Sequence, residues 1–111
     1  MISFGKAKQG KWLMKQFIEE GALEKAAFIG LMYQVPIRVA DAVTLKKSDL
    51  DGRTVLKVSG KYGKLYVNRH GNPYRITRQL QNLLNSMNED SDRIFTRRRE
   101  YYMRFFHRYR E

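Results

Sequence analysis

The stretch Val35-Pro36-Ile37-Arg38-Val39-Ala40-Asp41-Ala42-Val43-Thr44-Leu45-Lys46-Lys47-Ser48-Asp49-Leu50 decides how the rest of the chain is read. A proline suits the start of a helix, and Val39, Ala42, Val43 and Leu45 then supply an apolar stripe. Arg38 and Asp41 stand three positions apart, so on a helix they are neighbours able to pair. An acidic turn follows, Asp49-Leu50-Asp51-Gly52, and after it a hairpin over residues 53–67. Its strands, 54–59 and 65–68, are β-rich and partly alternating, and its bend is Gly60-Lys61-Tyr62-Gly63-Lys64. A helix feeding a hairpin, with helical segments on either side, predicts an α+β fold: helices packed around a short antiparallel hairpin.

Outward from that stretch, residues 1–10 read as a polar, glycine-punctuated lead-in arm. Residues 11–20 read as a helix with Trp12, Leu13, Phe17 and Ile18 inward, stopped by Gly21. Residues 22–34 are apolar all round, which predicts the central, buried helix. Downstream of the hairpin, 69–73 is loop, and 74–87 is an amphipathic helix with Ile76, Leu80, Leu83, Leu84 and Met87 at helical spacing. A polar acidic linker, 88–92, leads to a terminal helix over 93–111.

A length of 111 residues is enough for one domain with one modest core, so residues 1–111 are read as a single domain. A hydrophobic share of 42% is that of a globular protein. The net charge of +11 calls for a polyanionic partner or an anionic surface. Without cysteine there is neither a disulfide framework nor a thiolate metal site, and two distant histidines, His70 and His107, make no metal site either. Gly60 and Gly63 flank a turn rather than open a helix ahead of Lys-Ser/Thr, so no phosphate loop and no cofactor are expected. No apolar run reaches the roughly 18 residues of a membrane span. The expectation is a soluble, cytoplasmic protein with no membrane partner.

Arg38, Asp41, Leu45, Asp49-Leu50 and Gly60-Lys61-Tyr62-Gly63-Lys64 together resemble the catalytic domain of the tyrosine recombinase (phage integrase) family. In that family an Arg-x-x-Glu/Asp helix runs into a Leu-x-x-x-Asp-Leu/Ile segment and then a hairpin with a Gly-Lys-x-x-Lys turn. The 23 positions from Arg38 to Lys61 are about what it uses. The resemblance implies that Arg38 binds the scissile phosphate, a role suited to a planar fork that never deprotonates. It implies that Asp41 steadies that fork from behind. Lys61 would serve the leaving 5′-oxygen, and Lys64 would touch the DNA backbone.

The family's remaining equipment is a His-x-x-Arg box, a further His or Trp, and a nucleophilic tyrosine. The one His-x-x-Arg here is His107-Arg108-Tyr109-Arg110, only 46 positions after Lys61, and no tyrosine follows it. The resemblance therefore covers the first half of the catalytic domain and implies no strand cleavage unless a tyrosine comes from another chain.

The terminal segment speaks without any family. Seven arginines lie between Arg93 and Arg110. On a helix Arg97, Tyr101, Arg104 and Arg108 share one face, a phosphate-binding stripe with an aromatic among the charges, joined by Arg98 and Arg99. Phe95, Tyr102, Phe106 and Tyr109 share another, expected to bury. The leading expectation is a DNA-binding protein derived from a truncated recombinase of a phage or other mobile element, at work in a bacterial host. Two alternatives stand beside it: a regulator on the same fold that binds a full-length recombinase or a host factor, and a fragment of an active recombinase.

Overall fold

The computed structural model describes residues 6–109. Helix α1 runs Lys6–Glu19 and α2 runs Leu23–Gln34. Between them Gly21 takes φ 77°, the left-handed conformation that ends a helix cheaply only at glycine. The Gly21 and Ala22 amides donate back to the Ile18 and Phe17 carbonyls at 3.0 and 2.8 Å. The helix begins earlier than the sequence suggested, so 6–10 are helical rather than an arm, while residues 1–5 lie outside the described residues. Its buried face is Leu13, Met14 and Phe17. Trp12 falls on the opposite side of that phase and is 60% exposed, against the expectation that it points inward.

Helix α2 is the core of the fold. Ala26 through Leu31 are all buried, and α1, α4 and α5 residues pack around them. Phe28 sits in an aromatic box: Tyr102 stacks on it at 4.9 Å, Phe95 meets it edge-on at 5.5 Å, and Phe105 and Phe106 close the sides at 6.4 and 6.2 Å. Such pairs add roughly 0.5–1.5 kcal/mol each beyond the area they bury.

Helix α3 is short, Val39–Val43, with Arg38 as its N-cap residue. Ala42, Val43 and Leu45 are buried and Val39 is half-buried, the stripe read from the sequence. A 3₁₀ turn over Lys47–Asp49 leads to β1 (Leu50–Asp51), which pairs antiparallel with β2 (Thr54–Val55) in the register Leu50↔Val55 and Asp51↔Thr54. The Asp51-Gly52 turn thus makes a hairpin of its own. The lysine-bearing hairpin follows it and is held by the Val58↔Leu65 bridge, with the Ser59 amide donating to the Lys64 carbonyl at 2.8 Å.

The last two helices are shorter than their apolar periodicity predicts, because neighbouring backbone competes for their first residues. The Val55 amide donates to the Tyr74 carbonyl and the Ile76 amide to the Arg53 carbonyl, each at 2.8 Å. Those bonds hold 74–76 as a third extended partner of the sheet. Helix α4 therefore starts at Arg78 and ends at Ser86, with the Thr77 hydroxyl accepting from the Leu80 amide at 3.2 Å. Likewise Asp92 accepts from the Ser48 amide and hydroxyl at 2.9 and 2.6 Å, and Lys46 bridges Arg93. Residues 93–98 are held outside the helix, and α5 spans Arg99–Tyr109. Its buried residues are Tyr102 and Phe105, with Phe106 half-buried. Phe95 buries from the preceding segment rather than from the helix. The Tyr109 side chain and residues 110–111 lie outside the described residues.

Candidate functional site

Asp41 is a carboxylate only 7% exposed, and α3 points it at the lysine hairpin. It accepts from the Gly60 amide at 3.0 Å through one oxygen and from the Tyr66 hydroxyl through the other. The Tyr66 hydroxyl in turn accepts from the Arg38 amide at 3.4 Å. Burial, and then the bond to Asp41, raise the Tyr66 pKa above the usual phenol value. The sequence suggested that Asp41 pairs with Arg38; it ties the hairpin to α3 instead. The buried Ser59 hydroxyl completes the tie by accepting from the Lys61 and Tyr62 amides at 3.3 and 3.4 Å. Gly63, at φ 62°, turns the chain back, and its amide bonds the Ser59 carbonyl at 2.8 Å.

This tie brings the two cations together. The Arg38 guanidinium lies 4.8 Å and the Lys61 ammonium 5.3 Å from the centroid of the Tyr62 ring. Hydrogen bonding from Arg38, and then from Lys61, pulls the Tyr62 hydroxyl below its ordinary pKa. The same bond raises that of Arg38. Tyr62 is 60% exposed, so the cluster faces solvent. Tyr62 is not among the residues the sequence expectation assigns to the site; its signal there is an aromatic between two lysines at a glycine-flanked bend. His107, on α5, lines a groove of about 480 Å³ together with Tyr33, Ile37, Arg38, Val39 and Phe106. A histidine ahead of an arginine at α5 thus shares a groove with Arg38, a proximity that sequence spacing alone left open.

The surroundings are strongly positive. From Gly52 to Asn88 the chain carries seven lysines and arginines and no acidic residue. Lys64 is exposed at the hairpin. A second basic surface lies on α5 and the segment before it. Arg97, Arg98, Arg104 and Arg108 line one groove with Tyr101, although Arg97 precedes the helix; Arg99 is exposed outside it. The other face of the lysine hairpin is apolar. Val58 and Leu65 stand opposite each other, so Leu56 and Val67, two residues away on each strand, share their side. All four are 36–46% exposed.

Among the described residues no group of three or more His, Asp or Glu side chains could hold a metal ion, and no helix is long and apolar enough to cross a membrane. A comparison with protein families, with curated proteins and with solved structures finds no match.

Proposed function

We propose that this chain binds DNA by holding a backbone phosphate between the Arg38 guanidinium and the Lys61 ammonium, on a fold related to the first half of a tyrosine recombinase catalytic domain. One observation carries the reading. A helix cap and a hairpin turn, 23 positions apart, deliver two cations to one exposed ring, and a buried carboxylate that pairs with neither holds them there. A guanidinium meets phosphate bidentately and an ammonium meets it as a point charge, so the pair suits a phosphodiester. Asp41 acts as a positioning residue through the hairpin backbone. Lys64 and the α5 arginines extend the contact along the backbone. No strand cleavage by the isolated chain is assigned.

The test is duplex binding followed by fluorescence anisotropy over a salt series. Each neutralised phosphate contributes roughly −0.9 to the log–log slope, so the intact protein should give a slope of several units. Arg38→Ala should weaken binding and make the slope shallower by about one unit, with melting close to wild type. A flat salt response would overturn the reading. Charge reversal at Arg104 and Arg108 is the way to probe α5, because removing the segment after Asp92 would also remove Ile94, Phe95, Tyr102 and Phe105 from the core.

The apolar hairpin face favours a second reading, a regulator that binds another protein, such as a recombinase or a host factor. Four exposed aliphatic side chains on one side are poorly suited to phosphates and well suited to a protein partner. Association through that face would persist at high salt and fall on Val58→Lys, whereas phosphate binding would do the reverse.

A further inference from the structure

The groove beside α5 differs from the Arg38 groove in its lining, which gathers four arginines and a lysine around an aromatic side chain. It is an open groove of about 600 Å³, within the size range of small-ligand sites. Its walls carry Lys25, Arg98, Arg104 and Arg108, set against the one lining carboxylate, Glu100. Tyr101 and Phe105 contribute aromatic surface. The Arg97 guanidinium lies 4.6 Å from the centroid of the Tyr101 ring. It is held there from behind: its Nε lies 3.5 Å from a Glu24 oxygen, and the other Glu24 oxygen accepts from the Tyr102 hydroxyl at 3.0 Å. The Tyr102 hydroxyl accepts in turn from the Arg97 amide at 3.2 Å. An arginine laid on a tyrosine and fixed from the protein side is a preformed stacking surface. Four further cations, Lys25, Arg98, Arg104 and Arg108, line the same groove.

We propose that this groove receives an unpaired nucleotide of a DNA strand, its base stacked on the Arg97–Tyr101 pair and its adjoining phosphates held by Arg98, Arg104 and Arg108. Aromatic and arginine faces accept any base, because every base offers a π-face, while the cations follow the backbone. A base inside a duplex is stacked on its neighbours and cannot enter. The consequence is a preference for single-stranded or locally opened DNA. The inference rests on the DNA-binding reading above and gives the arginines beside α5, which there extend the duplex contact, a second ligand that duplex binding at Arg38 does not require.

The experiment uses the full chain and three labelled probes at matched salt: a short oligothymidine strand, the same strand with abasic spacers in place of its bases, and a duplex of equal length. Oligothymidine should bind about tenfold more tightly than the abasic strand, the size of one base stacked on an aromatic. Tyr101→Ala should remove that difference by weakening oligothymidine more than the duplex or the abasic strand, and Tyr101→Phe should keep it. Arg38→Ala should weaken the duplex more than the strand. Equal binding of the oligothymidine and abasic strands, with the duplex still bound, overturns the groove and leaves the phosphate site standing. Competition by polyglutamate as strong as that by oligothymidine also overturns it, because charge alone would then account for occupancy. Absence of binding to all three probes removes both readings together.

Discussion

Replacing Asp41 by alanine separates the two roles that sequence proximity to Arg38 confuses. The carboxylate takes hydrogen bonds from the Gly60 amide and the Tyr66 hydroxyl at a site 7% exposed, so alanine leaves both donors without that acceptor. Hydrogen bonds to charged groups are worth roughly 1.5–3 kcal/mol each, and relief of the buried carboxylate offsets part of their loss. A net cost of about 3 kcal/mol is expected, which in a domain of this size lowers the melting temperature by on the order of 10 °C or more. Arg38→Ala removes an exposed side chain from the Tyr62 ring and should melt near wild type while binding DNA less well. Circular dichroism melts and urea titrations of both variants measure this. The double variant Asp41→Ala/Tyr66→Phe should be less destabilised than the sum of the single changes, because Tyr66→Phe removes one of the stranded donors. The reasoning fails if Asp41→Ala melts within about 2 °C of wild type. It fails equally if Arg38→Ala costs as much as Asp41→Ala, since the guanidinium would then be the carboxylate's working partner.

Three further outcomes are expected. Burial pushes the Tyr102 hydroxyl up to about 12, so the fold holds that proton more tightly than the unfolded chain does. That stability is full below pH 10 and is lost as pH rises towards 12; wild type should lose roughly 2–3 kcal/mol more than Tyr102→Phe across the window, and parallel pH–stability curves would contradict this. A Cβ at Gly10 would overlap the Tyr33 Cβ and ring where α1 crosses α2. Gly10→Ala should therefore destabilise by about 1–3 kcal/mol, although alanine gains nearly 1 kcal/mol in helix propensity, and a raised melting temperature would show that the crossing is looser. A suicide DNA substrate should give no denaturation-resistant adduct. Tyr62 is the exposed tyrosine whose ring lies 4.8 Å from the Arg38 guanidinium, but its hydroxyl is bonded by Arg38 and Lys61, the two cations that would have to serve the phosphate and the departing oxygen. An adduct abolished by Tyr62→Phe would refute this.

What could be read from the sequence was what depends on neighbours in the chain. The Gly21 stop, the uninterrupted apolarity of α2 and the Ala42–Val43–Leu45 stripe are local signals, and each has its counterpart in the fold. The Asp41 bond to Gly60 spans 19 positions and competes with a closer cation, so spacing on a helix pointed to the wrong partner. The starts of α4 and α5 were misplaced for a related reason. Apolar periodicity continues through 74–76 and 93–98, but strand pairing with 53–55, the Lys46–Arg93 bridge and the bond from the Arg97 amide to the Tyr102 hydroxyl claim that backbone first. Hydrophobicity alone points Trp12 inward, but the buried positions Leu13, Met14 and Phe17 set the phase of α1 and turn it outward. For the candidate site, the separate residues Arg38 and Lys61 were legible, but Tyr62 and the groove with His107 exist only once hairpin, α3 and α5 have met.

The aromatic box around Phe28 also sets a timetable for synthesis. Its walls come from Phe95, Tyr102 and Phe105, and the hydrogen bond from Tyr102 to Glu24 spans 78 positions. On a ribosome that emits the chain from its N-terminus, α1 and α2 can pair early, but Phe28 waits for Phe95, Tyr102 and Phe105 to cover it. Contacts of such separation form slowly, and the waiting intermediate exposes a continuous apolar surface. A nascent chain stalled before Tyr102 would carry a half-built core and become a substrate for chaperones and proteases, so the cell would see this protein either finished or not at all.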